Sequence, residues 1–242
     1  MEYLRFSIGN AKLDEETGIF SLPAGHSCPF ALKCKSIADR VTGYMTDGSE
    51  TEFRCFAASG ECRSPQARKL RWNNFEMLRY RTAPEMTDLL IRSIYASDIH
   101  KVKKMRIHDS GDFFNKDYFG AWLTVAEEFP NIIFYAYTKS LPYWLVLLDS
   151  IPVNMFLTAS KGGRLDHLID RYQLKYAQVV YSVEEAEKLG LTIDHDDSNM
   201  YTHPNPFALL IHGTQPAGSD ASRALSLLRK EGITGYSKNK KK

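Results

Sequence analysis

Four cysteines are the residues whose type and spacing point most directly to chemistry. They are Cys28, Cys34, Cys55 and Cys62, and they are all the cysteines of the 242-residue chain. Chance scatter would rarely place every cysteine in one short N-terminal window. In a reducing compartment, clustered cysteines are more often metal ligands or redox groups than disulfides. The distribution therefore predicts one metal centre formed by the four thiolates.

The intervals between the cysteines bear on which metal they bind. Successive cysteines are separated by five, twenty and six residues, whereas paired cysteines of structural zinc sites usually stand about two to four residues apart. The wider intervals favour an iron–sulfur cluster wrapped by loops, with zinc and free redox thiols as the alternatives. Ligation by all four thiolates would leave no iron open and would indicate electron transfer, whereas ligation by three would leave one iron open to a ligand.

A second group of reactive side chains follows two predicted strands. His108, Asp109, Ser110 and Asp112 come at the end of one strand, and Lys139 comes at the end of the next. Because active sites of α/β proteins lie at the carboxyl ends of strands, we predict that these residues line one cavity. His and Asp could act there as acid and base, or bind a second metal or a polar substrate. The structural alternative is helix capping by the aspartates and an ordinary surface lysine.

Basic and aromatic residues are interleaved directly after the cysteine region. Such a pattern can bind phosphates and stack on bases, which makes nucleic acid an alternative partner. In the competing interpretation the aromatic rings face the core and the basic groups are solvated. The residues are Arg63, Arg68, Lys69, Arg71, Trp72, Phe75, Arg79, Tyr80 and Arg81.

Alternating strand and helix patterns predict how these groups are positioned. Their spacing of about 20–25 residues is typical of βα units and a parallel sheet. We expect an α/β fold, a TIM-like complete or partial (βα) barrel behind an N-terminal cysteine-bearing loop region, with a doubly wound open sheet as the alternative. The segment 194–206 is predicted to be a polar loop, solvated at Asp194–Asp197. The predicted strands are 3–8, 18–22, 104–108, 132–137, 154–158, 177–181 and 207–211.

The chain is predicted to form a single domain. Residues 1–63 would carry strands and the cysteine loops, residues 64–236 the helices and βα units, and residues 237–242 a short basic tail. The formal net charge is +2, with 25% charged residues, which is ordinary for a soluble protein. No apolar run approaches the roughly 20 residues that span a bilayer, and the N-terminus lacks the pattern of a signal peptide. We therefore expect a cytoplasmic protein that does not contact membrane.

Several segments resemble the phage-associated gene product 88-like family. The resemblance implies a phage or prophage protein that acts in a bacterial cytoplasm. It covers most of the chain and rests on the segments 22–29, 54–57, 71–75, 106–114, 134–140 and 207–213.

The layout is also similar, at a distance, to radical SAM proteins. Those proteins place a cysteine loop before a partial (βα) barrel and hold a [4Fe-4S] cluster at the barrel mouth. The Cys55-Phe56-Ala57 tripeptide is similar to the end of their cysteine loop, and Ser110-Gly111-Asp112 is similar to their glycine-rich cofactor segment. Their Cys-x3-Cys-x2-Cys spacing is absent here and a fourth cysteine is present, so SAM is an alternative cofactor and electron transfer the expected role.

Three hypotheses follow from these patterns. In the first, the four cysteines bind one [4Fe-4S] cluster at the barrel mouth, and the protein exchanges electrons with a redox partner or acts on a small substrate. In the second, zinc stabilises a nucleic-acid-binding protein. In the third, His108 and Asp112 serve a metal-dependent hydrolase.

Overall fold

The computed structural model describes residues 2–233, and the predicted basic tail at 237–242 lies outside that range. The strands are β1 Ser7–Ile8, β2 Thr17–Ser21, β3 Ser36–Ala38, β4 Met45–Asp47, β5 Lys104–Ser110, β6 Ile133–Thr138, β7 Met155–Ser160, β8 Tyr176–Val180, β9 Thr192–Ile193 and β10 Phe207–Leu210. The helices are α1 Phe56–Arg63, α2 Pro65–Leu78, α3 Ala83–Tyr95, α4 Lys116–Glu128, α5 Leu141–Val146, α6 His167–Arg171, α7 Val183–Lys188, α8 Asn199–Thr202 and α9 Asp220–Lys230. None of these helices is long and apolar enough to cross a membrane.

Within the described range, eight strands form one mostly parallel sheet in the order β1-β2-β5-β6-β7-β8-β10-β9. β2, β5, β6, β7, β8 and β10 are parallel and lie side by side in chain order. Since right-handed crossovers join parallel neighbours, this order puts the connecting helices on one face of the sheet. The described series is open, with β1 and β9 at its ends, and its order lacks the central reversal of a doubly wound sheet.

The main hydrophobic core lies on the face of the sheet that packs against α3 and α4, which we call the outer face; the opposite face is the inner face. Alternate side chains of a strand point to opposite faces, and Met105, Ile107 and Phe134 point towards the helices, where each is fully buried. Leu90 of α3 and Trp122 of α4 belong to the same buried cluster. This packing fixes β5 and β6, whose carboxyl ends carry the predicted reactive residues.

Polar caps define where the helices next to the site begin. The Ser64 hydroxyl accepts a hydrogen bond from the Ala67 amide (3.2 Å), and Pro65 occupies the first turn, where its missing N–H is not needed. The Asn115 side chain accepts from the Tyr118 amide at the start of α4 (2.7 Å). Each cap satisfies an amide that would otherwise lack a partner.

The inner face of the sheet is charged, and here the prediction of a solvated Asp194–Asp197 loop is wrong. The Asp197 side chain is fully buried and forms ion pairs with Lys12 and with Arg106 of β5. The Tyr137 hydroxyl of β6 donates to it (3.0 Å). Burial alone would raise the pKa of Asp197, but Arg106 and Lys12 hold it below the usual value. Two cations from distant parts of the chain thus keep the loop folded against the sheet.

Local structure departs from prediction in two places around the cysteines. Within the predicted cysteine-loop region, β3 pairs with β4 in an antiparallel hairpin. Residues 56–63, expected to be irregular, form α1, so Cys62 lies in a helix rather than in a loop. The first strand is also shorter than the predicted segment 3–8.

Replacing Asp197 by Asn is expected to lower the free energy of unfolding by about 3–5 kcal/mol, because two buried cations lose their counter-charge. Urea denaturation followed by circular dichroism measures this change. The matched control is Asp98→Asn, which removes a carboxylate from an exposed pair with Lys101 and should change stability by less than about 1 kcal/mol. Equal effects of the two substitutions would contradict the buried ion-pair account.

The ion pairs of Asp197 also predict how the stability of the protein changes with pH. A carboxylate whose pKa is depressed on folding adds stability that is present above its unfolded pKa, here 3.8. That stability is lost as the pH falls through the lower folded value. Acid unfolding in this range should therefore be steeper for the native protein than for the Asp197→Asn variant.

Candidate cofactor site at the carboxyl edge of the sheet

The cysteine-bearing segment between β2 and β3 crosses the carboxyl ends of the parallel strands. The Leu22 amide donates to the Ser110 carbonyl at the end of β5 (2.9 Å), and the Lys33 amide donates to the Gly162 carbonyl just after β7 (2.9 Å). Ala31 forms an isolated bridge with Gly163. This segment is therefore fixed to the strand ends at both of its sides.

Gly111 shows how closely the segment approaches the end of β5. Its φ of +88° is a left-handed conformation, and a Cβ there would lie 2.5 Å from the Ser27 hydroxyl and 2.7 Å from the Leu22 Cβ. Only glycine combines this conformation with this contact. The Ser110-Gly111-Asp112 turn predicted from the sequence is thus a direct support of the cysteine segment.

Three of the four cysteines lie close enough to influence one another. Burial raises the pKa of Cys28 well above its usual value, and Asp112, Cys55 and Cys34 raise it further. Burial also raises the pKa of Cys55 to about 11, with Cys34 as the next largest cause. We call these three partly buried residues, Cys28, Cys34 and Cys55, the thiol group, and Asp112 lies beside Cys28.

Cys62 stands apart from this group. It is exposed, in the last turn of α1, and its carbonyl accepts a hydrogen bond from Arg68 (3.3 Å). It lies seven positions after Cys55, which corresponds to a rise of about 10 Å along a helix. Cys62 is not among the main electrostatic influences on Cys28 or Cys55.

Within residues 2–233, no group of three or more His, Cys, Asp or Glu side chains is arranged to hold a metal ion. An iron–sulfur cluster binds each thiolate to a different iron, so its ligands stand further apart than those around one zinc ion. Metal binding to these cysteines would release their protons, because the thiolate is the ligand.

Glu61 is the main site residue that the sequence reasoning missed. Its side chain is fully buried. Its Oε1 accepts from the Ala24 amide (2.9 Å), Arg71 (2.9 Å) and the Ser110 hydroxyl (3.0 Å), while Oε2 is buried without a partner. The carboxylate thus joins the cysteine segment, α1, α2 and the end of β5. Nothing in the sequence distinguishes it from a surface glutamate.

Asp112 and Lys139 lie together at the sheet edge. The buried Asp112 carboxylate accepts from the Thr138 hydroxyl (2.7 Å) and from the Lys139 amide (2.8 Å). Burial raises the pKa of Asp112, although these hydrogen bonds oppose the rise. The Lys139 ammonium donates to the Ser160 hydroxyl at the end of β7. Both residues therefore stand at the edge that carries the thiol group.

His108 faces the outer core instead. Its Nε2 lies 2.9 Å from the Tyr118 hydroxyl, and its ring packs against Phe113 at 4.7 Å between centroids. Burial and the charge of Arg106 lower the pKa of His108 to about 3, so the ring is neutral. Within the described residues, no hydrogen bond joins His108 to Asp112.

Asp109 and much of the basic–aromatic segment have structural partners. Asp109 accepts from Ser21 and lies 3.6 Å from Arg71. Arg68 and Arg71 are buried, and Trp72 and Phe75 are too buried to stack on bases. The exposed members of the segment are Arg63, Lys69, Tyr80 and Arg81.

The thiol geometry predicts unequal alkylation of the metal-free, reduced protein. Iodoacetamide at about pH 8 should label Cys62 first, because the thiolate is the nucleophile and burial keeps Cys28 and Cys55 protonated. Labelling of Cys55 should accelerate as the pH approaches 11, its pKa. Peptide mass spectrometry over time measures the rates, and the denatured protein is the control in which all four should react alike. Equal rates in the folded protein would contradict the buried group.

Comparison with known proteins identifies the family. The family model described as Gene product 88 matches residues 4–228. No curated protein and no solved structure matched the chain. Since the family match spans nearly the whole sequence, the chain belongs to the Gene product 88 family.

Proposed function

We propose that Cys28, Cys34 and Cys55 hold one [4Fe-4S] cluster at the carboxyl edge of a partial (βα) barrel, and that the protein has a redox function. The observation that supports the proposal is that three partly buried cysteines lie near one another at the strand ends, where Cys55 and Cys34 both act on the charge of Cys28. Exposed Cys62 lies outside the proposed ligand set. The sequence favoured four ligands, and the position of Cys62 is the reason for choosing three.

The strand order supports the partial barrel. Parallel strands that follow one another in chain order curve in one direction when their helices share one face. α1 spans the two sides of the proposed mouth, because its Ser59 hydroxyl donates to the Thr214 carbonyl after β10 (3.2 Å) while Glu61 accepts from Ser110 at the end of β5. Cys55, which directly precedes α1, would then lie at this mouth.

Backbone amides favour the thiolate form at two of the proposed ligands. The Gly25 amide donates to the Cys28 sulfur at 3.3 Å, and the amides of Ala57 and Ala58 oppose the rise in the pKa of Cys55. Cys55 also stands at the N-terminus of α1, where the helix dipole favours negative charge. A bound [4Fe-4S] cluster supplies one-electron chemistry, and with three protein ligands it has one iron free for a further ligand.

A cleft beside the cysteine segment could hold a polar substrate. Its volume is about 1100 Å³, and Lys33 and Phe53, which adjoin Cys34 and Cys55 in sequence, form part of its lining. Lys161 lines it just after β7, and Tyr181 just after β8. The cleft thus opens at the same end of the sheet as the thiol group, where α/β proteins bind their ligands.

Iron and sulfide analysis of single variants tests the ligand set. Anaerobically reconstituted wild-type protein should contain about four irons and four sulfides per chain. Cys28→Ser, Cys34→Ser and Cys55→Ser should each lose most of both, because a hydroxyl is a poor replacement for thiolate. Cys62→Ser is the matched control and should retain the wild-type content.

Two outcomes would contradict the proposal. Stoichiometric zinc without sulfide after anaerobic reconstitution would identify a zinc site. Loss of iron in Cys62→Ser as complete as in Cys28→Ser would show that the fourth cysteine is also a ligand. Circular dichroism of each variant separates loss of metal from loss of fold.

Incubation of the reduced protein with SAM distinguishes the two redox roles. Formation of 5′-deoxyadenosine and methionine would identify radical-SAM-like chemistry. Stable SAM together with a reversible one-electron cycle would identify electron transfer. Cys28→Ser is the control, because it should support neither.

A further inference from the structure

The outer surface of α2 and the tip of the β3–β4 hairpin form one basic face. Its exposed or half-exposed cations are Arg40, Arg63, Lys69, Arg79 and Arg81. Glu76 pairs with Arg40 (2.8 Å) and with Arg79 (3.0 Å), and these pairs connect the hairpin to the helix. The cations of the face outnumber the neighbouring carboxylates Asp39, Glu76 and Glu85.

Exposed apolar side chains accompany this charge. Val41 is 82% exposed, Tyr44 74% and Tyr80 79%. Arg79 lies over the Tyr80 ring, 4.4 Å from its centroid. Apolar groups surrounded by cations form the type of surface that docks a protein. Single-stranded nucleic acid is the competing ligand, because the exposed Tyr44 and Tyr80 rings could stack on bases.

The basic face lies directly over the cysteine segment. Arg40 stacks on Trp72, 4.8 Å from the ring centroid, and the His26 ring lies 4.7 Å from the same tryptophan. His26 is two residues from Cys28. Arg68, under the face, donates to the carbonyls of both Val41 and Cys62. The face is therefore joined through Trp72 and His26 to the proposed cofactor site.

We propose that this basic face docks a small acidic electron-carrier protein that reduces the centre held by Cys28, Cys34 and Cys55. The inference rests on the proposed function. The carrier loses one electron and the cluster gains it, with no bond made or broken. Opposite charges bring the two proteins together and orient them, and such encounters need only a small interface.

Charge reversal on the face tests the proposal with a reduced plant-type [2Fe-2S] ferredoxin, which is strongly acidic, as the probe. The test variant combines Lys69→Glu with Arg81→Glu. The control combines Arg171→Glu with Lys188→Glu, the same change of charge at exposed positions of α6 and α7. Stopped-flow absorbance measures cluster reduction, and isothermal titration calorimetry measures binding of the oxidised carrier.

The test variant should be reduced at least about tenfold more slowly than wild type at about 50 mM salt. The difference between the two rates should shrink at about 500 mM salt, where exposed charges more than about 5 Å apart are largely screened from each other. Carrier binding should weaken in parallel, and the control variant should match wild type. Reduction by photoreduced deazaflavin, a small neutral molecule, should be equal in all three proteins.

If ferredoxin reduces the cluster at equal rates in the test and control variants, the docking proposal is overturned, whereas the proposed cluster is not. Binding of a single-stranded oligonucleotide that is lost only in the test variant, without carrier binding, would assign the face to nucleic acid and overturn it as well. Absence of a cluster from wild-type protein would overturn the proposed function, and with it this inference.

Discussion

The buried carboxylate of Glu61 is the interaction on which the arrangement of the site depends. One of its oxygens accepts from Arg71 of α2, from Ser110 at the end of β5 and from the backbone of Ala24. Without Arg71 the charge would be buried and uncompensated, which typically costs about 3–5 kcal/mol. Because α1 carries Glu61 and is capped by Cys55, the same contacts fix a thiol above the strand ends.

The two faces of the sheet stabilise the fold in different ways, and the proposed site lies at the carboxyl edge. Apolar residues of β5 and β6 pack beneath α3 and α4, which gives the strands a rigid position. On the opposite face, Asp197 holds Lys12 and Arg106 in a buried charged group. The carboxyl edge is then free to receive the cysteine segment. The proposed redox centre lies at this edge, and the proposed carrier protein would approach it from the basic face of α2.

Periodic hydrophobic patterns predicted the elements that pack on the outer face. The predicted strands 104–108, 132–137 and 154–158 correspond to β5, β6 and β7, because burial imposes a period on their sequences. α1 was missed because a short helix containing Gly60 and Glu61 has little apolar periodicity. The burial of Asp197 was missed because its partners, Lys12 and Arg106, are distant in sequence. The cysteines were recognised as a group, but their separation into three and one depends on the course of α1.

In the proposed site, three thiolates hold a cluster with one open iron. The most direct measurement is the electron paramagnetic resonance spectrum of the reduced protein before and after addition of cyanide, a small ligand for open iron sites. Cyanide should change the spectrum equally in wild type and in Cys62→Ser. A spectrum that is unchanged in wild type and altered only in Cys62→Ser would contradict it, because Cys62 would then occupy the fourth iron.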